Sequence, residues 1–157
     1  MKKILDVACG GKSFYFDKNN PLVCFCDKRK GTYIFPTDRV LTVDPDVICD
    51  FTKLPFEDEQ YKVVVFDPPH IVHGGEKSWL VKKYGLLDVN WKETIKKGFN
   101  ECWRVLAEDG VLVFKWNETQ IKVSEILDAV ERIPILGHKS GKQNKTHWLL
   151  FFKNKTE

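Results

Sequence analysis

The amino-acid sequence predicts an α/β fold with a mostly parallel sheet and a C-terminal antiparallel strand. Short apolar runs alternate with segments of helical or irregular pattern along the chain. Residues 63–66 are apolar at every position, which is typical of a strand buried on both faces of a parallel sheet. Two strand patterns follow each other closely near the end, as in a hairpin. The 157 residues predict a single domain, 1–157, with its own core.

The composition excludes few function classes. A net charge of +3 is too small for binding nucleic acid by charge alone. The five cysteines lie in or beside apolar runs, as buried reduced thiols do, and the spacing of Cys24 and Cys26 does not fit a usual zinc site. The sequence has no visible signal peptide and no apolar run of membrane-spanning length. We therefore expect a cytoplasmic protein without a metal site or a membrane segment.

The first strand pattern, Ile4 to Cys9, is followed directly by Gly10 and Gly11. Small residues and glycines after a strand let the backbone approach a ligand closely, although a plain strand-to-turn junction would look the same. The segment is not the G-x-G-x-x-G fingerprint, because Ala8 and Lys12 stand where that motif would prefer glycine.

A second strand pattern, Leu22 to Cys26, ends at Asp27, which lies 21 residues after Asp6. An acid at about this distance binds ribose hydroxyls in nucleotide-binding α/β folds, so Asp27 is the first candidate for that role. The connection that follows contains a short strand, Val40 to Val43. Asp44 at the end of this strand is the alternative candidate.

Acids close four of the short apolar runs. Carboxylates are rarely buried without a partner, so a ligand-lined edge of a parallel sheet explains these acids better than packing does. The third run is Val47 to Cys49 and the fourth is 63–66. The four acids are Asp6, Asp27, Asp50 and Asp67.

The run 63–66 ends in the sequence Asp67-Pro68-Pro69-His70. The two prolines cannot donate ladder hydrogen bonds and they fix the backbone, so a carboxylate and free carbonyls are held rigidly at the strand end. Two such acceptors can bind both N–H bonds of an exocyclic amine and stabilise the charge that develops during methylation. Asp67 can then take the leaving proton. The alternative is an ordinary Asp-Pro-Pro turn.

Residues 71–90 combine glycines, aromatics and lysines without clear structure. This pattern fits a mobile flap over a substrate, and equally a short surface helix from Lys77 to Tyr84. The next segment, Trp91 to Leu106, has apolar residues at three- and four-residue steps and predicts a helix. Asn90 can cap its start, and Asp109-Gly110 ends it.

The remainder of the chain predicts three strands and one more helix. A strand over Val111 to Phe114 leads into Lys115-Trp116-Asn117 at the same predicted edge. A helix over Val123 to Val130 follows, and then strands over Ile133 to Leu136 and His147 to Phe152.

The loop 137–146 between the last two strands is basic and contains His138 and Lys139. In a hairpin this loop would lie on the same edge as Asp67 and would be placed to hold a phosphate backbone. A solvated basic turn is the alternative.

The order of strands and helices resembles that of the class I S-adenosylmethionine-dependent methyltransferases over nearly the whole chain. The tetrapeptide 67–70 resembles the Asp/Asn-Pro-Pro-aromatic motif of the amino-methyltransferases that modify adenine N6 or cytosine N4. The chain is also similar to small phage-type and mobile-element members of that group, in residues 114–118 and in its Gly-His-Lys-Ser-Gly segment. The resemblance implies a Rossmann-like class I methyltransferase sheet and S-adenosylmethionine as the cofactor.

The resemblance also implies roles for individual residues. The turn from Asp6 to Gly11 would take the methionine part of the cofactor, Asp27 the ribose hydroxyls, and Asp50 with Phe51 the adenine ring. The implied cofactor-binding residues are Asp6, Ala8, Cys9, Gly10, Gly11, Asp27, Asp50 and Phe51. The implied catalytic residues are Asp67, Pro68, Pro69 and His70, where His70 replaces the aromatic residue that stacks on a flipped base. Substrate contacts are expected from Lys115, Trp116, Asn117, His138 and Lys139.

The expected function is methylation of an exocyclic amino nitrogen of a nucleic-acid base, in DNA more than in RNA. The base would be flipped out or already single-stranded. The sequence shows no added recognition domain, so sequence choice would come from residues 71–90 and the basic loop, or from a partner subunit. Two alternatives stay open: methylation of a protein side-chain amide or a small amine, and a cofactor-binding module without transferase activity. The sequence does not indicate the oligomeric state.

Overall fold

The computed structural model describes residues 2–35, 38–75 and 78–154. The main sheet contains β1 (Ile4–Asp6), β2 (Val23–Asp27), β5 (Val47–Ile48), β6 (Tyr61–Phe66), β7 (Leu106–Asn117), β8 (Leu136–Ser140) and β9 (Thr146–Lys153). A separate hairpin consists of β3 (Gly31–Ile34) and β4 (Val40–Val43). The helices are α1 (Trp79–Tyr84), α2 (Trp91–Val105) and α3 (Val123–Val130). No helix in these ranges has the length and apolar character needed to cross a membrane.

The main sheet has the strand order β5-β2-β1-β6-β7-β9-β8. The first five strands in this order are parallel to their neighbours, whereas β9 runs antiparallel to both β7 and β8. The predicted α/β class, with a mostly parallel sheet and an antiparallel C-terminal strand, is therefore confirmed. All parallel strands end on one side of the sheet, which we call the carboxyl edge; Asp6, Asp27, Asp67 and Asn117 lie along it.

The core lies between one face of the sheet and helices α2 and α3. Alternate residues of β6 and β7, such as Val64 and Phe114, point into it and are fully buried. Helix α2 meets them with an apolar stripe: the ring of Phe99 lies 5.9 Å from Phe114 and 5.0 Å from Phe151, centroid to centroid. Burial of each such side chain contributes roughly 1.5–3 kcal/mol.

The region where α2 passes into β7 differs from the predicted boundaries. The helix ends at Val105, and β7 begins at Leu106 and bulges before it pairs with β6 again at Val111. Asp109 has φ 57° and lies in this bulge, so Asp109-Gly110 shapes the strand and does not end the helix. Asn90 occupies the N-cap position, but its side chain makes no capping hydrogen bond.

The predicted position of strand β8 is wrong. The prediction gave Ile133 to Leu136, whereas the strand runs from Leu136 to Ser140 and includes His138 and Lys139. It is an edge strand with mostly exposed side chains, so no buried face imposes the alternating apolar pattern on which the prediction depends. Strand β3 was also missed. Within 71–90 a short helix is present at Trp79–Tyr84; Lys77, its predicted start, lies outside the described residues.

We expect the substitution Gly98→Ala in α2 to destabilise the protein, although alanine favours helices by about 1 kcal/mol over glycine. A Cβ at this position would lie 2.5 Å from Phe51 Cδ2 and 2.9 Å from Phe66 Cζ. Both contacts are shorter than 3.0 Å, so we expect a cost in the upper half of the range of about 1–3 kcal/mol for overpacking. After the gain from alanine, this leaves a net loss of about 1–2 kcal/mol in the free energy of unfolding, measured in urea. Lys97→Ala on the exposed side of the same helix should change it by less than about 0.5 kcal/mol. A Gly98→Ala variant as stable as the parent would show that α2 packs against Phe51 and Phe66 less closely than these distances indicate.

Candidate active site

The structure brings the four strand-end acids to one edge of the sheet. Asp6 and Asp27 are the last residues of β1 and β2, and Asp67 directly follows β6. Asp50 lies two residues after β5. These strands are parallel, so the acids are gathered at the carboxyl edge and are not distributed over both ends of the sheet.

An open cavity of about 840 Å³, which we call the first cavity, lies at this edge. Many residues that the sequence singled out contribute to its wall: Ala8, Cys9, Gly10, Gly11, Asp27, Phe51, Asp67 and Pro69. Three more wall residues, Lys83, Tyr84 and Gly85, lie in the segment 71–90, for which the sequence predicted a flap over a substrate or a short surface helix. The other wall residues were not singled out by the sequence: Val7, Ser13, Phe14, Lys28, Arg29, Leu41 and Cys49. Most of these come from irregular segments, which approach the site only after the chain has folded.

The loop after β1 depends on its glycines. Gly10 has φ +48°, in the left-handed region, and its N–H donates a 2.9 Å hydrogen bond to Asp27 Oδ2. A Cβ on Gly10 would meet no atom within 4 Å, so the loop leaves room for a ligand here. A Cβ on Gly11 would lie 2.7 Å from Leu41 Cδ1, because the β3–β4 hairpin rests against the loop.

Asp27 and Asp44, the two ribose candidates, have different surroundings. Asp27 is 5% exposed and lines the first cavity, and its Oδ1 accepts hydrogen bonds from Arg29 N (2.9 Å) and Arg29 Nε (3.2 Å). Asp44 has a 65% exposed side chain, pairs with Lys30 at 2.9 Å and does not line the first cavity. The geometry therefore favours Asp27.

Asp6 lies behind the wall of the first cavity and is only 1% exposed. Its Oδ1 accepts the Ala8 N–H at 3.2 Å, but Oδ2 has no hydrogen-bond partner. Burial raises the pKa of Asp6 to about 7, and the carboxylates of Asp67 and Asp27 add to this rise. The Ala8 N–H and the Tyr15 hydroxyl oppose this rise without cancelling it.

The structure does not bring Asp50 into the first cavity. Its Oδ1 accepts hydrogen bonds from Thr52 N at 2.8 Å and Thr52 Oγ1 at 2.7 Å, so the carboxylate shapes the local turn. Its neighbours Cys49 and Phe51 line the cavity instead, and the Phe51 ring packs 5.1 Å from Phe66. They give this part of the wall an apolar, partly aromatic character.

Asp67 forms an ion pair with Lys115 from the neighbouring strand β7. Lys115 Nζ lies 3.0 Å from Asp67 Oδ2, and the two side chains are only 17% and 14% exposed, respectively. Burial raises the pKa of Asp67, and the charge and hydrogen bond of Lys115 oppose that rise. The ammonium group also lies 4.7 Å from the centre of the Phe14 ring. Lys115, which the sequence assigned to substrate contact, therefore has the carboxylate as its partner. Pro69 lines the first cavity, and Pro68 is buried.

A second open cavity, of about 690 Å³, adjoins the first, and Tyr84 lines both. His70, Lys115 and Asn117 also line the second cavity. The His70 ring lies 4.8 Å from the Tyr84 ring, centroid to centroid, and burial lowers the pKa of His70 to about 4. The imidazole is therefore neutral near pH 7. The sequence placed Tyr84 in the segment 71–90, predicted either as a flap over a substrate or as a surface helix, but gave it no individual role.

Three of the expected substrate contacts need correction. Trp116 is fully buried on the core face of β7, where its Nε1–H donates to Ile121 O at 2.9 Å. Strand alternation places Lys115 and Asn117 on the other face, so only these two reach the second cavity. His138 and Lys139 lie on the exposed strand β8 and line none of the described cavities. Lys142 and Lys145 of the following loop line a third, shallower cavity at the carboxyl edge.

Comparison with known proteins identifies the fold. No family model matches the chain. No curated protein matches it either. Among solved structures, the PH0226 protein from Pyrococcus horikoshii OT3 matches with a TM-score of 0.60 and 15% identity, over 98% of this chain and 82% of that one. A SAM-dependent methyltransferase of the DUF858 family from Leishmania major matches with a TM-score of 0.56 and 12% identity, over 98% of this chain. The match covers 65% of the Leishmania chain, just under two thirds. The predicted Rossmann-like sheet of the class I methyltransferases is confirmed as the fold.

We expect Asp6→Asn to stabilise the protein at pH 8 and to flatten the pH dependence of its stability. The folded-state pKa of about 7 lies above 3.8, the ordinary value for Asp, so the folded protein holds this proton more tightly and loses stability as the pH rises between these values. The loss is on the order of 2–4 kcal/mol above pH 7, and asparagine avoids it. Urea unfolding at pH 5 and pH 8 measures the effect, with Glu57→Gln on the surface as the control. Equal pH dependence in parent and Asp6→Asn would contradict this account of Asp6.

Proposed function

We propose that this chain is an S-adenosylmethionine-dependent methyltransferase that acts on an amino nitrogen. The observation that carries the proposal is the position of Asp67-Pro68-Pro69 between two adjoining cavities. Asp67 and Pro69 line the first cavity, while Lys115, the partner of Asp67, and His70 line the second. One cavity would hold the cofactor and the other the group that receives the methyl.

The first cavity fits the parts of this cofactor. The open loop at Gly10 gives space for the methionine portion. Asp27 is placed for the ribose hydroxyls, and Phe51 supplies an apolar wall for the adenine. The bound cofactor would supply an electrophilic methyl group. The fold shared with the Leishmania major methyltransferase supports this assignment.

Asp67 would act as a hydrogen-bond acceptor for the substrate amine. A carboxylate and a rigid prolyl carbonyl that accept the two N–H bonds would localise the nitrogen lone pair, and would stabilise the positive charge as the methyl bond forms. Lys115 would keep Asp67 ionised, because a protonated carboxyl would offer an O–H donor to the amine. After transfer, Asp67 can take the released proton.

A nucleic-acid base, at adenine N6 or cytosine N4, is the substrate that we propose. Tyr84 is half-buried at the junction of the two cavities, where a planar base would stack on it. Lys83 lies 4.8 Å from the Tyr84 ring, and Lys142 and Lys145 lie along the same edge, where phosphates would pass. A base in a duplex would have to be flipped out to reach this site.

We expect Asp67→Ala to lower methyl transfer by roughly 10²–10⁴-fold and to leave cofactor affinity nearly unchanged, because this change removes an acceptor of the amine. Calorimetry measures cofactor binding. Labelled methyl transfer to separate DNA, RNA and protein pools measures activity and identifies the substrate. Asp44→Ala is the matched control, since this exposed acid is outside the first cavity, and it should keep both properties. Tight cofactor binding without transfer to any pool would favour a binding module without transferase activity. Transfer of the label to the protein pool would mean that the substrate is a protein and not a nucleic-acid base.

We expect Lys115→Met to move the acid limb of the pH–rate profile to higher pH. Burial already raises the pKa of Asp67 and Lys115 opposes the rise, so removal of the ammonium group raises that pKa further. The variant should therefore lose most activity at low pH and regain part of it as the pH increases. Lys92→Met on the surface of α2 is the control. An unshifted profile would mean that Lys115 does not control the ionisation of Asp67.

A further inference from the structure

Helix α1 contributes wall residues to the site but has little packing of its own. It spans six residues, and none of them is buried. A helix this short is marginal in water, so its position depends on contacts with the rest of the protein. Even so, Lys83 and Tyr84 of its last turn line the first cavity, and Tyr84 also lines the second. Groups outside α1 must therefore hold this turn in place.

The start of α1 is attached to the β3–β4 hairpin. The ring of Trp79, the first residue of the helix, packs 4.3 Å from the Phe35 ring, centroid to centroid. The Arg39 guanidinium lies 5.7 Å from the centre of the same Trp79 ring. At the other end, the Tyr84 ring contacts the His70 ring. These contacts involve side chains, and they leave the carbonyl groups of the last turn to find other partners.

Arg29 supplies a partner for these carbonyl groups. The last four carbonyls of a helix have no acceptor role within the helix, and an arginine near that end can donate to them. Arg29 Nη1 donates to Lys82 O at 3.2 Å and, in a longer contact of 3.5 Å, to Lys83 O. The backbone of the last turn is therefore attached to the segment between β2 and β3.

The same guanidinium group reaches the acid of the first cavity. Arg29 Nε lies 3.2 Å from Asp27 Oδ1, and the backbone N–H of Arg29 donates to that oxygen at 2.9 Å. The side chains of Arg29 and Asp27 are 23% and 6% exposed, respectively, so the pair is largely shielded from water. A guanidinium group is planar, so a bond from Nε to Asp27 also fixes the direction in which Nη1 points.

We propose that Arg29 is a positioning residue that joins Asp27 to the last turn of α1 and holds Lys83 and Tyr84 at the walls of the two cavities. Asp27 is the last residue of β2, and β2 is buried along its whole length. The bridge thus ties a helix without a buried residue to the main sheet.

The position of α1 matters for the chemistry of both cavities. Tyr84 lies where the cavities adjoin, and Lys83 and Asp67 both line the first one. Burial raises the pKa of Asp67, and the charge of Lys83 is among those that oppose this rise. Displacement of the last turn would remove a stacking surface for a base and weaken a charge that acts on Asp67. This consequence rests on the proposed function, whereas the position of α1 can be measured without it.

Hydrogen–deuterium exchange of the full chain tests the position of α1 by comparing the parent with Arg29→Lys. Lysine keeps a positive charge for the Asp27 carboxylate, but a single ammonium group would not bridge both partners. We expect the ammonium to stay with Asp27, so that α1 loses its backbone contact. Its amides should then exchange roughly 10-fold faster, as expected for the loss of a hydrogen bond to a charged group.

Two controls separate a displaced α1 from a damaged fold. The amides of α2 should exchange at the parent rate in Arg29→Lys, because α2 belongs to the core. Lys30→Met is the matched variant: Lys30 is next to Arg29, but its side chain is 56% exposed and pairs with Asp44. Its substitution should leave the exchange of α1 unchanged.

Methyl transfer to a single-stranded DNA oligonucleotide of mixed sequence tests the consequence for the substrate. In Arg29→Lys the KM for DNA should rise roughly 10-fold, which is the order of loss expected when one base no longer stacks. The dissociation constant of S-adenosylhomocysteine, measured by calorimetry, should stay close to that of the parent, because Asp27 keeps a cation.

Equal exchange of α1 in the parent and in Arg29→Lys would overturn the proposal. Faster exchange of α1 and α2 together would overturn it as well, since Arg29 would then support the whole fold. Faster exchange of α1 with an unchanged KM would show that Arg29 does not set the substrate site. A parent that transfers no methyl group would contradict the proposed function instead, and the exchange rates would still decide whether Arg29 holds α1.

Discussion

The parallel backbone ladder that joins β2, β1, β6 and β7 is the constraint on which the site depends. Asp6 of β1 pairs in register with Phe25 of β2 and with Val65 of β6, so these strands finish within about two residues of one another. Backbone hydrogen bonds, and not attraction between side chains, therefore gather the strand-end acids. Like charges brought together in this way repel, and the raised pKa of Asp6 is a direct result of that burial and crowding.

The acids at the carboxyl edge have different hydrogen-bond and ion-pair partners, so the protein stabilises their carboxyl groups to different extents. Asp67 has Lys115 as a buried cationic partner, and Asp27 has Arg29 and the Gly10 N–H. Both carboxyl groups thus have donors in an enclosed site, where charge-assisted hydrogen bonds are strong. Asp6 has the Ala8 N–H and the Tyr15 hydroxyl beside it, which only partly oppose the effect of burial on its pKa.

The two faces of the sheet are covered to different extents. Two helices, α2 and α3, follow β6 and β7, and both pack on the same side. On the other side, the segment between β1 and β2 is irregular and anchors itself with Tyr15 on Phe25 and Phe14 on Trp148. It contributes Phe14 to the wall of the first cavity.

The sequence alone determined the fold class, the central strand with its Asp-Pro-Pro ending and the acids at the strand ends, because these follow from local apolar runs and residues that stop strands. It did not give β8, whose exposed side chains carry no pattern, or the core position of Trp116, which depends on the strand register. Only the tertiary structure paired Lys115 with Asp67, separated Asp27 from Asp44 and brought Tyr84 between the two cavities. Such contacts join residues far apart in the chain, and their geometry is set by the packing of whole elements, which no local pattern encodes.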